Sequence, residues 1–213
     1  MYVDDILLTG NNVVEINHIA DLLHAAFRIK NLGNLAYFLG FEVARNSTGL
    51  HLNQRKYTLD LLHDIGMLDS FPAPTPMAQT SCLQHIGQLL DPDEASSYRR
   101  LIGRLIYLTN MRPDISFSVN NLSQFVAAPT PSHKQAVFRV LRYLKNSLGN
   151  GLFFPINTPI ELKAYSDSDW ATCPETRKSI TRFSIYLGQS LISWKSKNSK
   201  PYHEAPLKLN NVL

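Results

Sequence analysis

Apolar and polar positions change their spacing several times along the chain, and each change predicts an element. Residues 2–9, "YVDDILLT", crowd β-branched and apolar side chains together as a strand does, and "GNN" closes them with a turn. The spacing then becomes helical. Ile19, Leu22, Leu23, Ala26 and Phe27 fall on one face, expected to be core, with Asn12 and Glu15 as the start signal. Beyond Gly33 the period drops to two: Leu39, Phe41 and Val43 share a side, Leu50 and Leu52 repeat the pattern, and "NSTG" between them predicts a hairpin. A short amphipathic helix follows, with Leu59, Leu62 and Ile65 inward and a stop near Gly66.

Residues 70–97 hold the densest Pro and polar content and read as a linker or crossover. Helical spacing resumes at Tyr98, with Leu101, Ile102, Leu105 and Ile106 inward; Pro113 opens a second helix, and "PTPSHKQAVFRVLRYLKNSLGNG" supplies a third. The last part alternates again. "IELKAYSDSDWA", "RFSIYLG" and "SLISWKSK" predict the start of an antiparallel sheet. The expected class is α+β, divided as 1–69, a linker 70–97, a helical block 98–155, a sheet 156–200 and a tail 201–213.

Composition narrows the function classes. With 213 residues and 44% apolar content the chain can bury a core, and it is not disordered in character. A net charge of +4 suits an acidic partner such as nucleic acid, and equally an ordinary soluble protein. Cys82 and Cys173 lack CxxC spacing, so neither zinc nor a disulfide scaffold is expected. No apolar run approaches the roughly 18 residues of a bilayer span, and a secretory signal's basic start is missing; the expectation is an intracellular protein of unknown compartment, with no membrane partner. His51, His63, His85 and His133 lie in different elements without ligand spacing, as surface or loop histidines do.

Two groups of side chains carry candidate chemistry. Adjacent Asp4 and Asp5 repel and lose hydration among apolar neighbours, so the pair calls for a cation, a turn or a helix cap. Asp167 and Asp169 stand two apart on a strand and share a face. Lys134, Arg139, Arg142 and Lys145 lie on one helix, either a basic stripe that tracks phosphates or a solvated face.

Tyr2-Val3-Asp4-Asp5 ahead of a Gly-Asn turn resembles the signature hairpin of reverse transcriptases. "LGNLAYFLGFEV", "YRRLIGRLIYLTNMRPDISFSVNNLSQF" and "VLRYLKNSLGNGLFF" resemble successive blocks of the copia-type retrotransposon polyprotein, and "AYSDSDWA", "RKSITRFSIYLG" and "ISWKSK" resemble the opening strands of its ribonuclease H domain, up to about Lys197. The resemblance implies a partial reverse-transcriptase palm over 1–69, a thumb or connection over 98–155 and a truncated ribonuclease H-like domain over 156–200. It implies Mg²⁺ as cofactor, no small-molecule cofactor, and an RNA/DNA primer-template as partner. Two-ion nucleotidyl transfer needs several carboxylates around both ions. Asp4 matches a metal-ligand position and Asp5 its less essential neighbour, while the family's third metal-binding Asp belongs to an earlier palm strand.

Asp167 matches the first ribonuclease H carboxylate, with Asp169 beside it as a further metal ligand. The family's next Glu lies in a block resembling "SSTEAEY", where this chain has "NSKPYHEAPLKLNNVL", and Glu204 reads as a tail residue. Catalytic Asp4, Asp5 and Asp167 are therefore expected to be vestigial. Arg182 stands where the family usually has a turn Gly. Tyr37 and Phe38 fall in a hairpin resembling the family's primer-positioning element, where they contact a primer backbone or serve as core. The alternatives are a non-catalytic nucleic-acid-binding remnant, a pseudogene product, or one piece of a longer polyprotein in which Met1 is no true start.

Overall fold

The computed structural model describes residues 6–78, 83–169 and 179–199. Five α-helices and seven strands occur among them: α1 Val13–Phe27, β1 Tyr37–Phe38, β2 Phe41–Arg45, β3 Gly49–Asn53, α2 Arg55–Asp64, α3 Pro92–Leu108, α4 Ser116–Ser123, α5 Pro131–Asn146, β4 Gly151–Pro155, β5 Leu162–Asp169, β6 Ser179–Leu187 and β7 Ser190–Ser199. A 3₁₀ turn, Pro113–Ile115, leads into α4. No helix among the described residues is long and apolar enough to cross a membrane.

Residues 6–9, described here as the end of the expected first strand, have no strand pairing, and residues 1–5 lie outside the described structure. Helix α1 starts as its sequence predicts: Asn12 Oδ1 accepts from the backbone N–H of Val14 at 3.0 Å and of Glu15 at 3.4 Å. Its expected core face is not core. No residue of α1 is buried, and Ile19, Leu22 and Phe27 are 45%, 57% and 71% exposed. Amphipathic spacing specifies a face that can be buried, but not that a neighbour is present to bury it.

The first sheet is antiparallel in the order β1-β2-β3-β4. Period two placed Leu39 with Phe41, whereas Leu39 and Gly40 form the two-residue turn between β1 and β2, with φ of 47° and 79°. Positive φ at both positions gives the turn the twist that a tight hairpin needs, and it leaves Leu39 exposed. Strand β4 lies at the end of the span 98–155 that the sequence predicts as a helical block. It pairs with β3 from Gly49↔Pro155 to Asn53↔Gly151, so closely that a Cβ on Gly151 would lie 1.9 Å from the Leu52 carbonyl oxygen.

The core lies among α2, α3, α4 and α5. Leu61 and Leu62 from α2 pack with Tyr98, Leu101, Ile102, Leu105 and Leu108 of α3, Val119 and Leu122 of α4, and Val137, Val140, Leu141 and Leu144 of α5. Ile106, expected inward, is half exposed; Leu108 takes the inner position one turn beyond Leu105. Helix α3 begins at Pro92, inside the expected linker, because Asp91 Oδ1 caps Glu94 N–H at 2.8 Å and Pro92 occupies the first turn. The Pro and polar residues counted as linker at 91–94 are helix-start chemistry.

His133, expected at the surface, is fully buried at the start of α5. Its Nδ1 accepts from the Thr130 N–H at 3.0 Å, the role Glu or Gln fills in a capping box, and its ring stacks on Phe125 with centroids 3.8 Å apart. The second sheet is antiparallel in the order β5-β6-β7, as the alternation predicts. Trp194 of β7 ties it to the helices by donating its indole N–H to the Thr109 carbonyl at 3.0 Å.

Candidate nucleic-acid interface

The four basic residues of α5 do not form one free stripe. Lys134 donates to Glu94 Oε1 on α3 at 2.7 Å, and Lys145 donates to the Ser70 carbonyl at 2.6 Å. Arg139 donates to Thr75 Oγ1 at 2.9 Å. Next to it, the Arg142 carbonyl accepts from Ala73 N–H at 3.2 Å, and Ala73 itself is buried. The segment 70–77 is thus laid along α5. The i, i+3 spacing that suggested a phosphate track also suits a helix face holding an extended strand of its own chain.

Arg139 and Arg142 keep unused capacity. The Nε of each is buried with no hydrogen-bond partner, and neither guanidinium has an ion pair among the described residues. Both border a cavity of about 410 Å³ that also touches Ser132 and Gln135.

The expected carboxylates separate. Asp4 and Asp5 lie outside the described residues. Asp167 and Asp169 share strand β5, opposite Arg182 and Ile180 of β6 respectively. Arg182 is therefore in mid-strand, not at a turn. Its Nη1 lies 3.2 Å from Asp167 Oδ2, and its guanidinium sits 5.1 Å from the ring centroid of Phe117 on α4. The guanidinium engages one of the two Asp167 carboxylate oxygens and adds a positive charge beside it, in a pair open to solvent. No group of three His, Cys, Asp or Glu among the described residues could hold a metal.

On the first sheet, Tyr37 is half exposed and Lys56 Nζ lies 5.6 Å from its ring centroid. The turn beside it is anchored from below: Tyr107 of α3 donates its hydroxyl to the Leu39 carbonyl and stacks with Phe41, centroids 5.9 Å apart. Burial, with the nearby Tyr57 and Tyr37, raises the Tyr107 hydroxyl above its ordinary value.

Sequence reasoning overlooked the clamp around Arg112, which is 2% exposed. Its Nε and Nη2 donate to Asp114 at 2.9 and 2.7 Å, and its Nη1 and Nη2 donate to the Ser147 carbonyl and Oγ at 2.9 and 2.7 Å. Tyr143 completes the clamp by donating to Asp114 Oδ2 at 2.8 Å. Burial works to raise the Asp114 carboxyl, but the Arg112 hydrogen bonds and charge, helped by Tyr143, hold it below its ordinary value. The local signal was Arg112-Pro113-Asp114, a turn in which acid and base are two residues apart.

Residues 1–79 match the family model described as reverse transcriptase (RNA-dependent DNA polymerase). Over 202 residues, 94% of this chain, the sequence is 46% identical to the retrovirus-related Pol polyprotein from transposon RE2 of Arabidopsis thaliana and 45% identical to that from transposon RE1. It spans 14% of the length of each. An uncharacterized mitochondrial protein of the same plant, AtMg00810, is 40% identical over 197 residues, which cover 92% of this chain and 81% of that protein. No solved structure matches the chain.

Proposed function

The chain belongs to the copia-type retrotransposon Pol family as a fragment with a reverse-transcriptase domain, and on that premise we propose that it contacts a primer-template without polymerising by itself. The observation that carries the contact is Tyr37, half exposed on the first hairpin with Lys56 Nζ 5.6 Å from its ring centroid; the Arg182 guanidinium on Asp167 Oδ2 bears on the hydrolytic carboxylate alone. In this reading β5, β6 and β7 are the opening strands of a ribonuclease H-like domain, and the helices α3 to α5 act as a thumb or connection. Asp4 and Asp5 are vestigial metal ligands of the polymerase, and Asp167 and Asp169 of the hydrolase. Tyr37, exposed on a hairpin anchored through Tyr107, supports a contact with the primer backbone.

Primer extension by the 213-residue chain on poly-rA with oligo-dT, in Mg²⁺ or Mn²⁺, tests the catalytic half. The expected result is no extension. Extension that disappears with Asp4→Asn would overturn it. Salt dependence tests the binding half: each phosphate contact steepens the log–log fall of affinity by about 0.7 to 0.9. Undetectable or salt-independent binding to primer-template would reject the contact.

A further inference from the structure

Of the four basic side chains that α5 carries, Lys134 and Lys145 are spent on their own chain, Arg139 has one neutral partner, and Arg142 has none among the described residues. Arg139 and Arg142 both line one cavity of about 410 Å³, together with Met77 and Leu83, and the Nε of each is buried without a hydrogen-bond partner. No carboxylate lines it among the described residues. Arg139 has a single neutral partner there, Thr75 Oγ1, and the Arg142 side chain has none among the described residues. Two guanidiniums that line one cavity without a carboxylate among its described residues put like charge on like charge. An anion in the cavity offsets that repulsion.

The remaining lining narrows the anion. Ser132 and Gln135 come from the first turns of α5, where backbone N–H groups and the helix dipole favour negative charge. Guanidinium forks match tetrahedral oxyanions through paired hydrogen bonds, and hydroxyl and amide groups complete such a shell. The volume accepts a phosphate group with part of what it is attached to. We propose that Arg139 and Arg142, with Ser132 and Gln135, form a phosphate-binding pocket between α5 and the 70–78 segment. The group is a phosphodiester of a nucleic-acid strand or a terminal phosphate. The choice of nucleic acid as its source rests on the reading above, whereas phosphate binding itself does not.

The test uses the full chain and three probes: inorganic phosphate, an unphosphorylated dT oligonucleotide and the same oligonucleotide with a 5′-phosphate. Binding is read from the Arg Nε–H signals in ¹H–¹⁵N spectra and by competition. Phosphate is expected to shift the Arg139 and Arg142 Nε–H signals. Arg142→Gln should weaken binding by about tenfold or more, and Arg142→Lys, which keeps the charge and loses the fork, by less. Arg45→Gln on exposed β2 is the control and should bind as the parent does. Displacement of phosphate by the unphosphorylated oligonucleotide identifies a phosphodiester; displacement only by the 5′-phosphorylated one identifies a terminal phosphate. The proposal is overturned if phosphate leaves both Nε–H signals unmoved, or if Arg142→Gln and Arg139→Gln, both folded by circular dichroism, bind like the parent. Absence of oligonucleotide competition with phosphate still bound would reject the nucleic-acid source and leave the pocket standing.

Discussion

Arg112 illustrates how one buried charge organises its surroundings. The side chain reaches Asp114 on one side and Ser147 at the end of α5 on the other, so the turn before α4 and the last turn of α5 share a single cation. Asp114→Asn removes the countercharge and leaves the guanidinium buried. Breaking a buried pair costs about 3–5 kcal/mol, and with a third of the Asp114 side chain exposed the expected loss is near the lower end, about 3 kcal/mol, read as a fall in denaturant midpoint. The pH dependence has a definite sign. A carboxyl whose folded pKa is depressed contributes stability in full above its unfolded pKa, about 3.9, and loses it as pH falls through the lower folded value. The gap between the parent and Asp114→Asn should therefore be constant at neutral pH and narrow only below about pH 4. A gap that narrows near pH 6 would assign the effect to another group.

Among the elements, the first sheet depends on two backbone details. Gly151 faces the Leu52 carbonyl at a distance no Cβ can occupy, and the obstacle is backbone, which cannot swing aside. Gly151→Ala should separate β4 from β3 and lower stability by about 2 kcal/mol or more, seen as rapid amide exchange in β4 with α5 still protected. Equal protection in both would show that the strands accommodate the methyl. Leu39 presents the opposite case. It holds a positive φ that costs a branched side chain about 1 kcal/mol, and it is exposed, so little packing is lost with it. Leu39→Asn, a residue that tolerates this region, should raise stability by about 0.5 kcal/mol. A lower melting temperature would show that the Leu39 side chain supplies contacts outweighing that strain.

For the molecule as a whole, stability is concentrated in one place. The core joins α2 to the helices that follow the 70–91 segment, and β4 joins the same two parts through β3. Helix α1 has no share in that core. Its amides should exchange at least about a hundredfold faster than those of α5, whereas comparable protection would mean that its apolar face is covered. How much of this was legible in advance follows from the range of the forces. Caps, turns and periodicity act within a few residues, so Asn12 at α1, the hairpin at 46–49, the stop at Gly66, the helices of the bundle and the three last strands could be read from their own neighbourhoods. The family could be read as well, since the blocks that carry it are contiguous. Pairing of β3 with β4 across about a hundred residues, burial of His133, Lys134 against Glu94 and Arg182 against Asp167 could not, because each depends on which distant segment arrives opposite. The sequence by itself determined where helices and strands form and which lineage they belong to, through short-range hydrogen bonding and spacing. Only the tertiary structure decided which charges are neutralised and which, like Arg139 and Arg142, are left facing a cavity, because neutralisation is a matter of distance in space.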